Sequence, residues 1–156
     1  MVARATVADT AVMETRRTVK LFVVEDSPPI RSRVVELLAE IEGASIVGEA
    51  ATPEEAVAGI LRTKPDCVVL DFQLIGGTGV DVLRAVHPAS PQIAFVVLTN
   101  HPTAQYRRVC MEAGARFFLD KSSEFGKLKQ VVSQCILTEP RIESPGDRNV
   151  SRRRTA

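Results

Sequence analysis

The feature that most constrains the fold of this 156-residue chain is a five-fold alternation of short apolar runs with helical patterns. Most of the runs are rich in β-branched residues, as strands buried on both faces of a sheet are. Because a helical pattern follows each run, the strands are expected to be parallel and joined by right-handed crossovers. The predicted strands are Val19–Val24, Ser45–Val47, Cys67–Leu70, Ile93–Leu98 and Arg116–Leu119.

Residues that favour helix starts occur after each predicted strand. Hydroxyl side chains can cap a helix, and proline fits its first turn. The expected capping or first residues are Ser27, Thr52, Thr78 or Gly79, Pro102, and Ser122 or Ser123. Five such strand–helix units predict an α/β fold, a doubly wound five-stranded parallel sheet in the flavodoxin-like order 2-1-3-4-5, with helices on both faces.

Four of the five predicted strands end in groups able to do chemistry, namely Glu25-Asp26, Asp71, Thr99 and Lys121. In a parallel sheet these ends share one edge, and the crevice of this strand order lies between strands one and three. Two like charges about 4 Å apart repel by roughly 4 kcal/mol at an effective dielectric of 20, and one lysine cannot neutralise three carboxylates. A hard divalent cation such as Mg²⁺ would supply the missing charge.

Asp71 is the leading candidate for the reacting group. A carboxylate held beside a cation can attack a phosphoryl group and form an aspartyl phosphate. In-line phosphoryl transfer needs little beyond positioning and neutralisation of the phosphoryl oxygens. We expect Mg²⁺, Lys121 and the Thr99 hydroxyl each to bind one of those oxygens.

These residues and their spacing make the sequence similar to the receiver domain of two-component response regulators, over residues 19–137. The resemblance implies a signalling phosphoprotein of the single-domain, chemotaxis-type class. In it, Asp71 would accept a phosphoryl group from a histidine kinase or a phosphotransfer protein. The protein would catalyse its own phosphorylation and dephosphorylation, and we expect no independent substrate and therefore no enzyme in the ordinary sense.

The resemblance also implies roles for the residues around Asp71. Asp26, Asp71 and the backbone carbonyl of Gln73 would hold Mg²⁺, and Glu25 would reach the ion through water. Thr99 would move to the phosphoryl group after transfer.

Phe118 falls at the aromatic switch position of the family. Its inward rotation would couple to Thr99 and reshape the face formed by helix four, strand five and helix five. That face is where an unknown downstream protein would bind, and homodimerisation through it stays open. The sequence departs from the family pattern at Ile75 and at Ser122, which stand where prolines are common, and we expect a trans bond at Lys121–Ser122.

The flanks are expected to carry no structure of their own. We predict a flexible leader at residues 1–18, a receiver domain at 19–137 and a disordered basic tail at 138–156. The formal net charge is +1, and no apolar run approaches the roughly 20 residues of a membrane span. With no output motif after the predicted domain, we expect a stand-alone cytoplasmic protein that contacts neither DNA nor membrane directly.

Two other functions fit parts of the pattern. A pseudo-receiver, acting as a constitutive interaction module without phosphorylation, would share the fold but would not need the complete acidic set. A small phosphatase forming an aspartyl phosphate would need a general acid two residues after its nucleophile, and the amide of Gln73 cannot serve there.

Overall fold

The computed structural model describes residues 18–137, and the sheet in it has the predicted architecture. Five parallel strands lie in the order β2-β1-β3-β4-β5, which confirms the doubly wound, flavodoxin-like prediction. The strands are β1 Val19–Val24, β2 Ala44–Ala50, β3 Cys67–Asp71, β4 Ala94–Thr99 and β5 Phe117–Asp120. The helices are α1 Pro28–Ala39, α2 Pro53–Thr63, α3 Gly79–Val86, α4 Ala104–Glu112 and α5 Leu128–Leu137.

Apolar side chains pack on both faces of this sheet. Successive residues of β1 point to opposite faces, so that Phe22 joins one core cluster and Leu21 the other. The Phe22 cluster includes residues of α2, α3 and α4, whereas the Leu21 cluster includes residues of α1 and α5. Both β3 and β4 are buried along their whole length, as expected of central parallel strands. Within residues 18–137, no helix is long and apolar enough to cross a bilayer.

The register of the strands brings their carboxyl ends to one edge. Val24 lies opposite Leu70, and Asp71 lies opposite Leu98. At the far side, Thr99 of β4 lies opposite Asp120 of β5. The last residues of β3 and β4, and the residues that follow β1 and β5, therefore share one end of the sheet, as the sequence predicted.

Three of the five predicted helix starts are confirmed. Ser27, Thr52 and Thr78 each accept a hydrogen bond from a backbone N–H in the first turn of α1, α2 and α3. The fourth prediction, a helix starting at Pro102, was wrong by two residues, because the helix starts at Ala104 and Thr103 caps it. The Thr103 hydroxyl accepts the Tyr106 N–H at 3.0 Å, and α4 begins at Ala104.

The predicted start of the last helix was also wrong. The hydroxyls of Ser122 and Ser123 donate to the Asp120 carboxylate, at 2.8 and 3.0 Å, and cap no helix. A 3₁₀ turn at Phe125–Lys127 intervenes before α5. The described residues contain no cis peptide bond, which confirms the trans bond expected after Lys121.

Two further segments differ from the prediction or lie beyond it. Strand β2 runs from Ala44 to Ala50, longer than the predicted Ser45–Val47. The glycine-rich loop after Asp71 forms a short antiparallel hairpin, Gln73–Leu74 with Gly77–Thr78, in which Gly76 has a φ of 84° that favours glycine. The predicted leader, apart from Thr18, and the predicted tail at 138–156 lie outside the described residues.

Candidate functional site

Three carboxylates meet at the carboxyl edge of the sheet. Glu25 and Asp26 follow β1, and Asp71 ends β3, which is the neighbouring strand. One carboxylate oxygen from each of the three lies within 4.8 Å of the others. Glu25 and Asp71 are buried, with only 3% and 6% of their surface exposed, while Asp26 is half-buried. The acidic cluster expected from the strand exits is therefore present.

Lys121 bridges two of these carboxylates. Its Nζ lies 3.0 Å from Glu25 Oε1 and 3.2 Å from Asp71 Oδ2, and its side chain is 8% exposed. The backbone N–H of Lys121 donates to the Thr99 carbonyl at 2.7 Å, which fixes the lysine just beyond β5. The side chain supplies one positive charge to a cluster of three carboxylates, so the cluster keeps an excess of negative charge.

Burial shifts the pKa values of the two buried carboxylates. Burial, and then repulsion from Asp71, raise the pKa of Glu25 from 4.5 to about 7, although Lys121 counteracts part of the rise. Burial also raises the pKa of Asp71, against the lowering effect of Lys121. Burial alone would lower the pKa of Lys121, but its bonds to Glu25 and the charge of Asp71 raise it overall. Both buried carboxylates therefore bind a proton more tightly than exposed carboxylates do.

The loop that carries Glu25 and Asp26 is fixed by hydrogen bonds. The Glu25 carboxylate accepts the Ser27 N–H at 3.1 Å, and Ser27 in turn caps α1. Arg31 donates to the Glu25 carbonyl oxygen at 2.7 Å and pairs with Glu49 of β2 at 3.2 Å. The acidic loop, residues 25 and 26, is therefore anchored to both α1 and β2. These contacts hold its carboxylate oxygens in a fixed position.

The loop after Asp71 is fixed by its own backbone and by α3. The Gln73 N–H approaches Asp71 Oδ1 at 3.4 Å, and the Gly79 N–H donates to the Phe72 carbonyl at 2.7 Å. A Cβ on Gly79 would stand 2.5 Å from the Asp71 carbonyl oxygen. Only glycine at this position lets the first turn of α3 pack so closely against the end of β3.

Thr99 and Phe118 lie on the last two strands of the sheet, Thr99 on β4 beside β3 and Phe118 on the edge strand β5. Thr99 is fully buried at the end of β4, and its Oγ1 accepts the His101 N–H at 3.0 Å. Phe118 of β5 is 5% exposed and belongs to the Phe22 cluster, with the Arg107 guanidinium 5.4 Å from its ring centre. The aromatic side chain at the expected switch position is thus in its buried orientation.

Sequence reasoning missed two arrangements that surround the site. Phe72, the residue after Asp71, stacks on Tyr106 of α4, with ring centres 4.2 Å apart and planes 16° from parallel. Asp120, the residue before Lys121, accepts the Ser122 N–H at 2.9 Å as well as the two serine hydroxyls. The serine-rich sequence after Lys121 hinted at the second arrangement, whereas no local signal indicated the first.

The chemistry of the acidic cluster suits a hard divalent cation. Its donors are carboxylate oxygens from Glu25, Asp26 and Asp71, and Mg²⁺ binds through such oxygens together with water and phosphate. The cluster also holds three carboxylates beside the single positive charge of Lys121, so a divalent cation would balance its charge. The residues present therefore fit a Mg²⁺ site.

Comparison with known proteins points to one family. A family model described as the response regulator receiver domain matches residues 21–133. The response regulator GacA of Pseudomonas aeruginosa is 29% identical over 116 residues, which are 74% of this chain and 54% of that protein. A protein-glutamate methylesterase/protein-glutamine glutaminase of Idiomarina loihiensis is 36% identical over 108 residues, or 69% of this chain and 28% of that protein.

A solved structure agrees with these sequence matches. The signal receiver domain of the putative response regulator NarL from Mycobacterium tuberculosis has a TM-score of 0.71 and 27% identity, covering 76% of this chain and 96% of that one. The chain spans about half the length of the GacA relatives and less than a third of the methylesterase. The shared part is the five-stranded domain that carries the acidic cluster.

Proposed function

The chain belongs to the response regulator receiver domain family, and from this premise we propose that it is the phosphoacceptor of a two-component phosphorelay. Asp71 receives a phosphoryl group from a histidine kinase or a phosphotransfer protein. The observation that carries this proposal is the buried contact of Lys121 Nζ with Asp71 and Glu25, beside Asp26, at the end of the central strands.

The transfer step follows from the residues around Asp71. An ionised Asp71 oxygen attacks phosphorus, and the new O–P bond forms as the P–N bond to the donor histidine breaks. The imidazole leaves with the electron pair of the P–N bond and takes a proton from solvent water. Lys121, now 3.2 Å from Asp71 Oδ2, is placed to bind an oxygen of the transferred group. Positioning and charge neutralisation of this kind account for most of the catalysis in phosphoryl transfer.

We assign the metal site to the acidic loop and the loop after β3. Asp26, Asp71 and the carbonyl of Gln73 would hold Mg²⁺, with Glu25 acting through water. The ion, when bound, neutralises charge on the phosphoryl oxygens. Glu25, already paired with Lys121 at 3.0 Å, keeps that lysine directed at Asp71.

The proposed response involves Thr99 and Phe118. Thr99 exchanges its contact with the His101 N–H for one with the phosphoryl group, which moves the segment between β4 and α4. Phe118, whose ring lies beside Arg107 of α4, passes the change to the face formed by α4, β5 and α5. This face binds a downstream protein, or a second copy of the chain as a homodimer.

The proposal extends to the organisation of the chain. Residues 19–137 form the receiver domain, and residues 1–18 and 138–156 flank it. The receiver domain itself does not bind DNA. The chain acts in the cytoplasm, where histidine kinases phosphorylate their partners. It turns over no substrate other than its own phosphoryl group, which it also hydrolyses.

Intact-mass measurement after incubation with acetyl phosphate and Mg²⁺ tests the function. We expect the wild-type chain to gain one phosphoryl group, with no gain after chelation or in Asp71→Asn. Asp66→Asn is the matched control, because Asp66 precedes the same strand at its opposite end and accepts the Lys20 N–H at 2.8 Å. This variant is expected to gain the group as the wild type does.

Two results would count against the proposal. Equal gain by Asp71→Asn would place the phosphoryl group elsewhere. No gain, together with no Mg²⁺ binding by a folded protein, would favour the phosphorylation-independent interaction module instead.

A further inference from the structure

We infer that Tyr106 is a positioning residue for the Mg²⁺ site, acting through its stack on Phe72, and that the stack links the loop after Asp71 to α4. This inference rests on the proposed function, since it concerns the same site. It adds a contact between the site and α4 that is separate from Thr99 and Phe118.

Phe72 occupies a sensitive place in the backbone. It lies between Asp71, whose carboxylate is the proposed acceptor, and Gln73, whose carbonyl is a proposed metal ligand. Strand β3 ends before Phe72 and the hairpin begins after Phe72, so this residue belongs to neither pair of hydrogen-bonded strands. Its carbonyl accepts the Gly79 N–H at 2.7 Å, which fixes one side of the peptide to α3.

Tyr106 fixes the other side of Phe72. The two rings are nearly parallel, with centres 4.2 Å apart, so they stack in contact with each other. Phe72 is 8% exposed and Tyr106 is half-buried, so the tyrosine covers the phenylalanine from the direction of α4. Rotation of the Phe72 side chain is thereby limited, and with it the orientation of the peptides that lead to Asp71 and Gln73.

Tyr106 also connects to the segment that responds to Thr99. Its backbone N–H donates to Thr103 Oγ1 in the first turn of α4, and that helix follows Thr99 after a short loop. The Thr99 hydroxyl accepts the His101 N–H in the same loop. A movement of the β4–α4 loop toward the phosphoryl group would therefore displace Tyr106 relative to Phe72. Conversely, a more rigid loop after Asp71 would restrict the position of α4 through the same stack.

The composition of the chain provides a direct probe. Tyr106 is the only tyrosine, and there is no tryptophan, so intrinsic fluorescence reports this one ring. We expect the emission of the wild-type chain to change on saturation with Mg²⁺ and again on addition of acetyl phosphate. In Phe72→Leu, where the stacking partner is gone, both changes should be lost or greatly reduced.

Variants of Tyr106 separate positioning from simple core packing. Tyr106→Leu should weaken Mg²⁺ affinity about two- to tenfold, the range expected when an aromatic pair is lost. Tyr106→Phe keeps the stack and should bind Mg²⁺ as the wild type does. Val109→Ala is the matched control, because Val109 packs against the same cluster from the same helix; it should lower thermal stability without changing Mg²⁺ affinity.

The outcomes distinguish this inference from the proposed function. Two results would overturn the inference alone. One is a Mg²⁺ affinity of Tyr106→Leu equal to that of the wild type. The other is a wild-type emission that does not change with Mg²⁺ or acetyl phosphate although the chain is phosphorylated. A wild-type chain that takes up neither Mg²⁺ nor a phosphoryl group would overturn both. Equal weakening in Tyr106→Leu and Val109→Ala would also overturn it, because general loss of packing would then explain the result.

Discussion

At the scale of single residues, Glu25 is a buried carboxylate with a shifted pKa. It is 3% exposed, lies next to another carboxylate and shares its lysine with that neighbour. Its pKa of about 7 lies above the ordinary value of 4.5, so the folded chain binds this proton more tightly than the unfolded chain does. The stability that this proton contributes is complete below pH 4.5 and is lost as the pH rises to about 7.

Glu25→Gln tests that state in the metal-free protein. Because glutamine does not ionise, the free energy of unfolding of the variant should fall less than that of the wild type between pH 4.5 and pH 8. The wild type is expected to lose on the order of 1–2 kcal/mol more over this range. Urea denaturation at several pH values measures the difference, and parallel stability curves would show that Glu25 ionises normally.

At the scale of secondary-structure elements, α2 packs on the sheet through a glycine. A Cβ on Gly59 would lie 2.6 Å from Cζ of the Phe22 ring. A Cβ on Gly48 of β2 would also overlap the Phe22 ring. Because Phe22 is buried and both glycines lie against its ring, a methyl group added at either position would force the ring or the backbone to shift.

Gly59→Ala should therefore destabilise the protein, although alanine favours a helix over glycine by about 1 kcal/mol. Overpacking typically costs about 1–3 kcal/mol, so we expect a net loss of about 1–2 kcal/mol in the free energy of unfolding. Gly126→Ala is the matched control, because a Cβ there meets no atom within 4 Å. Equal stability of the two variants in thermal or urea denaturation would contradict the packing argument.

The loop between β5 and the 3₁₀ turn positions Lys121 by hydrogen bonds rather than by a proline. Asp120 accepts from both Ser122 and Ser123, and Glu124 Oε1 accepts the Asp120 N–H at 2.8 Å. The Ser122 hydroxyl and N–H hold the pKa of Asp120 below its ordinary value. This carboxylate therefore stabilises the loop at neutral pH and loses the effect as the pH falls through its lowered pKa.

Asp120→Ala should slow the uptake of phosphate from acetyl phosphate several-fold, because the loop that carries Lys121 loses three hydrogen bonds. The fold should persist, since the network lies at the protein surface. The measurement is the initial rate of phosphorylation with Glu36→Ala, an exposed carboxylate on α1, as the reference. An unchanged rate in Asp120→Ala would mean that β5 alone fixes the lysine.

At the scale of the whole molecule, the sheet explains why the sequence predicted the acidic cluster. Parallel strands put their carboxyl ends together, so Asp26, Asp71 and Lys121 could be placed from strand positions alone. The stack of Phe72 on Tyr106 could not, because it depends on how α4 is rotated against the sheet. The start of α5 was mispredicted since Asp120, a residue outside the helix, competes for the serines that would otherwise cap it.

The most direct test of the central claim is to identify the residue that carries the phosphoryl group. Borohydride reduces an aspartyl phosphate to homoserine, so peptide mass mapping after treatment with acetyl phosphate, Mg²⁺ and borohydride reads out the site. We predict homoserine at position 71 in the wild type and at no position when acetyl phosphate is omitted. Homoserine at Asp26 or at another aspartate, with Asp71 unchanged, would contradict the account.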